Sequence, residues 1–476
     1  MKNKFKVGLI SVKQGDSFPP FGLAYLGTYL KRHLGEDIDL DIIDQNFEDA
    51  RNEIWSKHFD LIGISAMSIY YGKALRLARD IKKDIGAPIV IGGVHISTLP
   101  DSFEDCFDIG IMGEGEGPML EIIKLCLDKG PLRKQELLKI KGLIFLDDGK
   151  LIRTPERPLI ENLDSLPLLD WGLVDKRYFS NSALTTWGEF GIEGNILTSR
   201  GCPYKCLFCS TTKFWQKLRF HSAEYVVEQI KSLVYDYRVT HIQIWDDLFT
   251  INTPRLIKIG ELLRKNGLTN KVKFNCQPKP NLLNDELCKL LKEMNIKIAI
   301  FGFETGSDGV LKFLKRQSVT VEENKKAILL CRKYGIKVQG SVVLGSPGET
   351  LEDMRKTMDF VNFAIKNKVQ RLWSFVLTPF PGTEIWEIAK QRGKVKDKGF
   401  DWDLLSPQNA DRPLLLDDSI KLKDFQRIFL KIRKKLLYQR LNKVVSFICD
   451  NPIRALAYLL SNPFNSLHLL FTKKDV

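Results

Sequence analysis

A chain of 476 residues is too long for one ordinary core, so two or three domains are expected. It is 44% hydrophobic and 27% charged, no apolar run reaches the ~18 residues of a spanning helix, and the first apolar run is too short for a secretory signal, which together point to a cytoplasmic globular protein. The formal charge of +14 leaves nucleic acid, anionic membrane and anionic substrate open as partners, and it is densest in KLKDFQRIFLKIRKKLLYQRLNK (421–443), where Asp424 is the only acid.

In chain order, a buried strand over 5–10 (FKVGLI) is followed by a loop and by a helix in GLAYLGTYLKRHLG (22–35). Strands IDLDIID (38–44), DLIGISA (60–66) and APIVIGG (87–93) come next, with a helix over 71–86 that Gly86 stops. Residues 108–130 read as a short strand, a glycine-rich turn and a helix. Strands alternating with helices at short spacing predict a doubly wound parallel sheet. Such sheets bind ligands beyond the carboxyl ends of their strands. The loops there are small or glycine-rich: 63–68, 92–95 and 113–117. Both a ligand site and ordinary turns fit that composition.

A proline-rich connector without periodicity spans 145–190 and marks a domain boundary. A second alternating series starts at 191, with strands over 195–200, 241–247, 271–277, 296–304, 337–345 and 371–379 and helices between them. That is six βα units of a barrel that closes with eight. Cys202, Asp246, Asp247, Glu304, Gly345 and Pro379 fall at the carboxyl ends, where such barrels carry their chemistry. The expected architecture is α/β: a doubly wound parallel sheet over 1–144, a linker over 145–190, a partial (β/α)6 barrel over 191–405 and a helical tail over 406–476.

Nine cysteines in an intracellular chain do not suggest a disulfide framework. Cys106, Cys126, Cys276, Cys288, Cys331 and Cys449 are scattered and read as small buried hydrophobes. The other three form C-x3-C-x2-C in TSRGCPYKCLFCSTTKFW (198–215): Cys202, Cys206 and Cys209. Structural zinc normally takes four ligands, and neither a fourth nearby cysteine nor a histidine in the loop supplies one. An iron–sulfur cubane is usually held by four cysteines, so three leave one iron open to a small molecule.

This loop at the end of a first barrel strand resembles that of the radical SAM superfamily. There it holds a [4Fe–4S] cluster whose open iron is chelated by S-adenosylmethionine (SAM), and reductive cleavage of SAM yields a radical that abstracts hydrogen. Phe208 stands where the family has an aromatic against the adenine. GFETGS (302–307), GSVVLGSPGET (340–350) and TPFPGTE (378–384) resemble the family's later motifs in the expected order over roughly 190–390. The resemblance implies roles for Glu304 in positioning SAM and for Gly345 near the adenine. For Asp246 two readings stay open, contact with the SAM amino group and capping of the next helix. Lys213 and Arg219 read as solvated.

The preceding domain resembles the cobalamin-binding subgroup, through PPFGLAYLGTYLKRHLG (19–35), GGVHIST (92–98) and GEGE (113–116). It implies a cobalamin contacted by Ser65, Gly92, Gly93, His95 and Glu114. One departure is that none of the six histidines has Asp two positions before it, so the D-x-H-x-x-G ligand motif is absent. His95 is accordingly expected as a structural or edge contact rather than a cobalt ligand. With both cofactors, the implied reaction is methylation of an unactivated carbon, with an external electron donor and a small-molecule or lipid substrate, and no nucleic acid. A non-methylating cyclase or oxidative enzyme of the subgroup is the nearest alternative. A tRNA methylthiotransferase is a lower one, because the first domain has only Cys106 and Cys126 where those enzymes place three cluster cysteines. The basic, amphipathic tail is expected to cap the barrel or to touch an anionic membrane.

Overall fold

The computed structural model describes residues 4–12, 19–130, 132–179 and 191–450, with side chains to 441. The first sheet has seven strands: β1 (Phe5–Ser11), β2 (Ile38–Asp44), β3 (Leu61–Ser65), β4 (Ile89–Gly92), β5 (Ile109–Ile111), β6 (Leu143–Asp147) and β7 (Lys150–Arg153). Their order is β2-β1-β3-β4-β5-β6-β7, parallel up to β5 and antiparallel through β6 and β7. Strands such as LIGIS, up to its terminal Ser65, and IVIG are apolar because both faces are covered. Val7, Leu9, Leu61 and Val90 enter the core on one face, and Ile10, Ile62, Ile64 and Ile91 enter the core on the other.

The sheet runs on to Arg153, past the boundary expected at 144. Asp148 and Gly149 join β6 to β7, and both have positive φ, 46° and 76°. Two such residues make the two-residue turn whose twist suits a hairpin. The Asp-Gly pair was the available signal for it.

The second sheet has six parallel strands in the order β15-β14-β13-β12-β11-β8. These are β8 (Glu193–Ile196), β11 (His241–Ile244), β12 (Lys273–Cys276), β13 (Ile296–Glu304), β14 (Lys337–Leu344) and β15 (Arg371–Val376). The strand expected over 195–200 is interrupted. After Ile196 the chain leaves the sheet, and β9 (Ser199–Arg200) pairs antiparallel with β10 (Arg219–Phe220). This two-stranded ribbon carries the cysteine loop between its arms.

One apolar cluster joins the two units: Ile62, Ile64 and Ile91 of the first sheet share it with Leu207, Leu314, Leu377 and Trp386 of the second. The helix Leu422–Asp450 buries Phe425, Phe429 and Ile432 in the barrel's core cluster, so its described part caps the barrel. Residues 451–476, the apolar end of the tail, lie outside the described residues, as does the side chain of Cys449. Among the described residues no helix is long and apolar enough to cross a membrane.

Candidate active site

The cysteine loop begins at Gly201, where φ is 98° and a Cβ would stand 2.5 Å from the Lys217 carbonyl oxygen. Only glycine lets the two arms of the ribbon approach so closely. The loop is tied down by its backbone. Leu207 N donates to Leu314 O at 2.9 Å, and Ile385 N donates to Leu207 O at 3.3 Å. Leu207 is buried, Phe208 half-buried in the same core, and the three cysteines are half-buried and free of disulfides.

Burial raises all three thiol pKa values, Cys202 to about 11, and for Cys202 and Cys206 the neighbouring cysteines add to the shift. Among the described residues no three Cys, His, Asp or Glu side chains converge as around one metal ion. Three thiols in one loop could hold a multi-iron cluster, whose ligands each bind a different iron.

Glu304 lies at the end of β13 beside this loop, buried, with φ of 62° at a bulge in the ladder to β14. A Cβ on Gly302 would sit 2.3 Å from the Glu304 carboxylate, so the glycine of Gly-x-Glu is what lets that carboxylate fold over the strand. Lys315 pairs with it at 3.0 Å and also donates to the Gly302 carbonyl at 2.6 Å. Lys279, after β12, has an ammonium with no hydrogen-bond partner among the described residues, standing over the Tyr204 ring of the cysteine loop. Burial lowers its pKa to about 8. Gly345, with φ of 86°, follows β14, and its N–H donates to the Glu349 carboxylate at 2.6 Å. Burial pushes Glu349 up to about 7. Lys279 and Lys315 carried no sequence signal, because nothing local in QPKP or LKR announces their neighbours.

At the carboxyl edge of the first sheet, Ser65, Gly92, Gly93 and Glu114 line one cleft together with Gly22, Gly113 and Gly115. A Cβ on Gly22, Gly92, Gly113 or Gly115 would meet nothing within 4 Å. Four bare backbone positions around one opening form a cradle for a large ligand. Its far wall comes from the other unit: Arg200, Phe214 and Trp215, which flank the cysteine loop on both sides.

Comparisons with known proteins agree with both halves. The model of the radical SAM superfamily matches residues 196–361, and that of the B12 binding domain matches 8–123. An uncharacterized methyltransferase of Pyrococcus horikoshii is 30% identical over 93% of this chain and 94% of its own length. The chain belongs to the cobalamin-binding radical SAM family. An anaerobic magnesium-protoporphyrin IX monomethyl ester cyclase of Rubrivivax gelatinosus is 27% identical over 87% of this chain and 74% of its own. The methyltransferase TsrM of Kitasatospora setae, solved with cobalamin and a [4Fe–4S] cluster, shares the fold with a TM-score of 0.66 at 20% identity, over 90% of this chain and 82% of that one. This cobalamin-binding radical SAM enzyme therefore uses a [4Fe–4S] cluster, SAM and cobalamin.

Three expected contacts are corrected. Asp246 is fully buried, and its oxygens are taken up within the protein: they accept from Thr198 N at 2.6 Å, from Ser199 N at 3.2 Å and from both hydroxyls. It does not cap the next helix either, since Asn252 does so. The Glu114 carboxylate is taken up by Arg200 and Arg219, and both arginines are buried, so Arg219 is not solvated. His95 is wholly buried, with Nδ1 3.1 Å from Ser68 Oγ and Nε2 2.9 Å from Ser102 Oγ, stacked on Tyr71 at 3.8 Å. Both ring nitrogens are engaged, so His95 acts in the core, as the missing ligand motif implied.

Burial lowers the pKa of His95 to about 3 and that of His221 to about 4, where Asp164 at 3.2 Å offsets part of the effect. Both are neutral in the fold and protonate near 6.5 when unfolded, so the unfolded state binds more protons between those limits. Their stabilisation is complete above pH 6.5 and is lost as pH falls toward 4, at up to about 1.4 kcal/mol per pH unit each. Denaturant midpoints at pH 7.5 and 5.5 should show this loss. A His95→Gln variant, weaker at pH 7.5, should show a smaller fall.

Proposed function

We propose that the enzyme methylates an unactivated carbon of a small-molecule or lipid substrate, with cobalamin as methyl carrier. The observation that carries this reading is the shared wall: the segments flanking the cysteine loop also close the cleft at the edge of the first sheet. Two cofactors bound there stand next to each other, as passing a methyl group to a carbon radical requires. The cluster with SAM supplies hydrogen abstraction and the corrinoid supplies the methyl group.

The chain's own groups suit their ligands. Cys202, Cys206 and Cys209 would hold the cluster. Beside its Lys315 partner the Glu304 carboxylate would accept from an ammonium or ribose hydroxyl, and the Lys279 ammonium, without a hydrogen-bond partner among the described residues, would pair with a carboxylate, groups that SAM carries. Half-buried Phe208 offers a ring to an adenine, whereas Gly345 is buried, with the Phe425 ring 3.4 Å from where a Cβ would stand. Pro203 and Lys205 are exposed on the outer side of the loop, where an external one-electron donor would approach.

Reaction with methyl-deuterated SAM is the test. A product heavier by three deuteriums and one carbon supports methyl transfer. SAM cleavage with an unlabelled, dehydrogenated or cyclised product would favour the cyclase reading, which the Rubrivivax relative brings forward. The outer face of the helix Leu422–Asp450 exposes Leu430 and Tyr438 among Arg427, Lys431 and Lys434, which suits peripheral contact with an anionic bilayer. Failure to co-sediment with anionic liposomes would remove that contact.

A further inference from the structure

Four charged side chains meet at the junction of the two units, all at least nine-tenths buried: Glu114, Glu116, Arg200 and Arg219. Arg200 donates one Nη to Glu114 and the other to Glu116 at 2.7 Å. Arg219, paired with Arg200 across the β9–β10 ribbon, donates to Glu114 at 3.0 Å and to the Ile160 carbonyl at 2.6 Å. Ile160 N donates back to Glu114 at 2.7 Å. Trp215 lies against both guanidinium groups, at 5.3 and 5.9 Å.

Stability alone is a poor reason for this arrangement. Desolvating four charges costs about as much as their pairing returns, and apolar replacements of similar volume often do as well. What a bidentate fork adds is register. Here it joins two particular segments. The carboxylates belong to the Gly113–Gly117 turn that lines the cleft of the first sheet. Arg200 stands two residues before Cys202 and is itself part of that cleft's far wall, with Phe214 and Trp215 five and six residues after Cys209. A cluster held by the three cysteines would fix the segment that forms this wall. A wall already ordered costs less when the cleft is filled, and linkage makes the effect reciprocal.

We propose that Arg200 is a positioning residue that couples the two cofactor sites, so that the cluster tightens corrinoid binding and the corrinoid in turn tightens the hold on the cluster. The proposal rests on a corrinoid occupying the first-sheet cleft.

The test is equilibrium dialysis of hydroxocobalamin against full-length protein, cluster-free and anaerobically reconstituted. Wild type should bind at least about fivefold more tightly when the cluster is present. In Arg200→Lys, which keeps the charge and loses the fork, and in Glu116→Gln, that ratio should fall to about one. A merely structural role would lower both affinities together and leave the ratio unchanged. A second readout needs no variant: under excess dithionite, which keeps the cluster reduced and takes the added hydroxocobalamin to cob(II)alamin, the electron paramagnetic resonance signal of the wild-type cluster should shift when the corrinoid is present. A wild-type ratio of one with no spectral shift overturns the coupling, as does a full ratio retained in both variants. No binding to either wild-type form would overturn the corrinoid reading itself, and the coupling with it.

Discussion

Replacing Cys202, Cys206 and Cys209 together by alanine is expected to take iron from about four per chain to near zero and to abolish reductive cleavage of SAM, while the protein stays folded. The fold around the loop has anchors besides its thiols. The loop backbone is held by the bonds from Leu207 to Leu314 and from Ile385 to Leu207, and by the close approach at Gly201. The cysteines are only half-buried, so each truncation should cost about 1 kcal/mol or less. The loss of SAM cleavage should exceed about 10³-fold, because no other group in the site can deliver the electron. Alanine at Cys276, Cys288 or Cys331 makes the contrast. All three are buried in the barrel's core cluster, so their loss should lower stability and leave iron content unchanged. Iron analysis beside circular dichroism reads both effects. A triple variant that keeps four irons would take the cluster away from this loop.

The alternation of largely apolar strands with amphipathic helices was enough to place both sheets, because short loops order such elements along the chain. The cysteine spacing and the Gly-x-Glu of β13 were likewise local, and they mark groups that do meet at the barrel mouth. What escaped the sequence reading was long-range. Arg200 and Glu114 lie 86 residues apart, and no spacing rule joins them. Lys279 lies after β12 and Lys315 ends the helix Asp308–Lys315, far apart in sequence from the cysteine loop they flank. The break between Ile196 and Ser199 was invisible because NILTSR satisfies a strand pattern. What ends the strand is a carboxylate from the next one. That same carboxylate was misread, since two adjacent aspartates at a strand end point to opposite sides and only the fold says which is which: Asp247 accepts from Thr211 on the cysteine-loop side, and Asp246 turns inward.

Asp246→Ala should therefore act through the scaffold. The substitution strips acceptors from two backbone N–H groups and two hydroxyls, all buried, on the two residues where the chain leaves β8 for the cysteine loop. It also removes the nearby negative charge that favours the cationic form of Arg255, which donates to the Thr198 carbonyl at 2.7 Å and is otherwise disfavoured by burial. Breaking a buried charged network from one side costs about 3–5 kcal/mol, much of it the desolvation of the groups left behind. Asp246→Asn keeps the volume and one acceptor oxygen, and should cost less. Two measurements separate this from a role in binding SAM. If Asp246 held the SAM amino group, the asparagine variant would load its cluster normally, keep its denaturant midpoint and bind SAM weakly. The buried position requires the reverse pattern: a lowered midpoint and poorer cluster loading, with the affinity for SAM per intact cluster unchanged. The side chain at the carboxyl end of the second strand would then hold the cluster loop in place without touching the ligand, and Glu304 and Lys279 would be left as the charged groups that meet SAM.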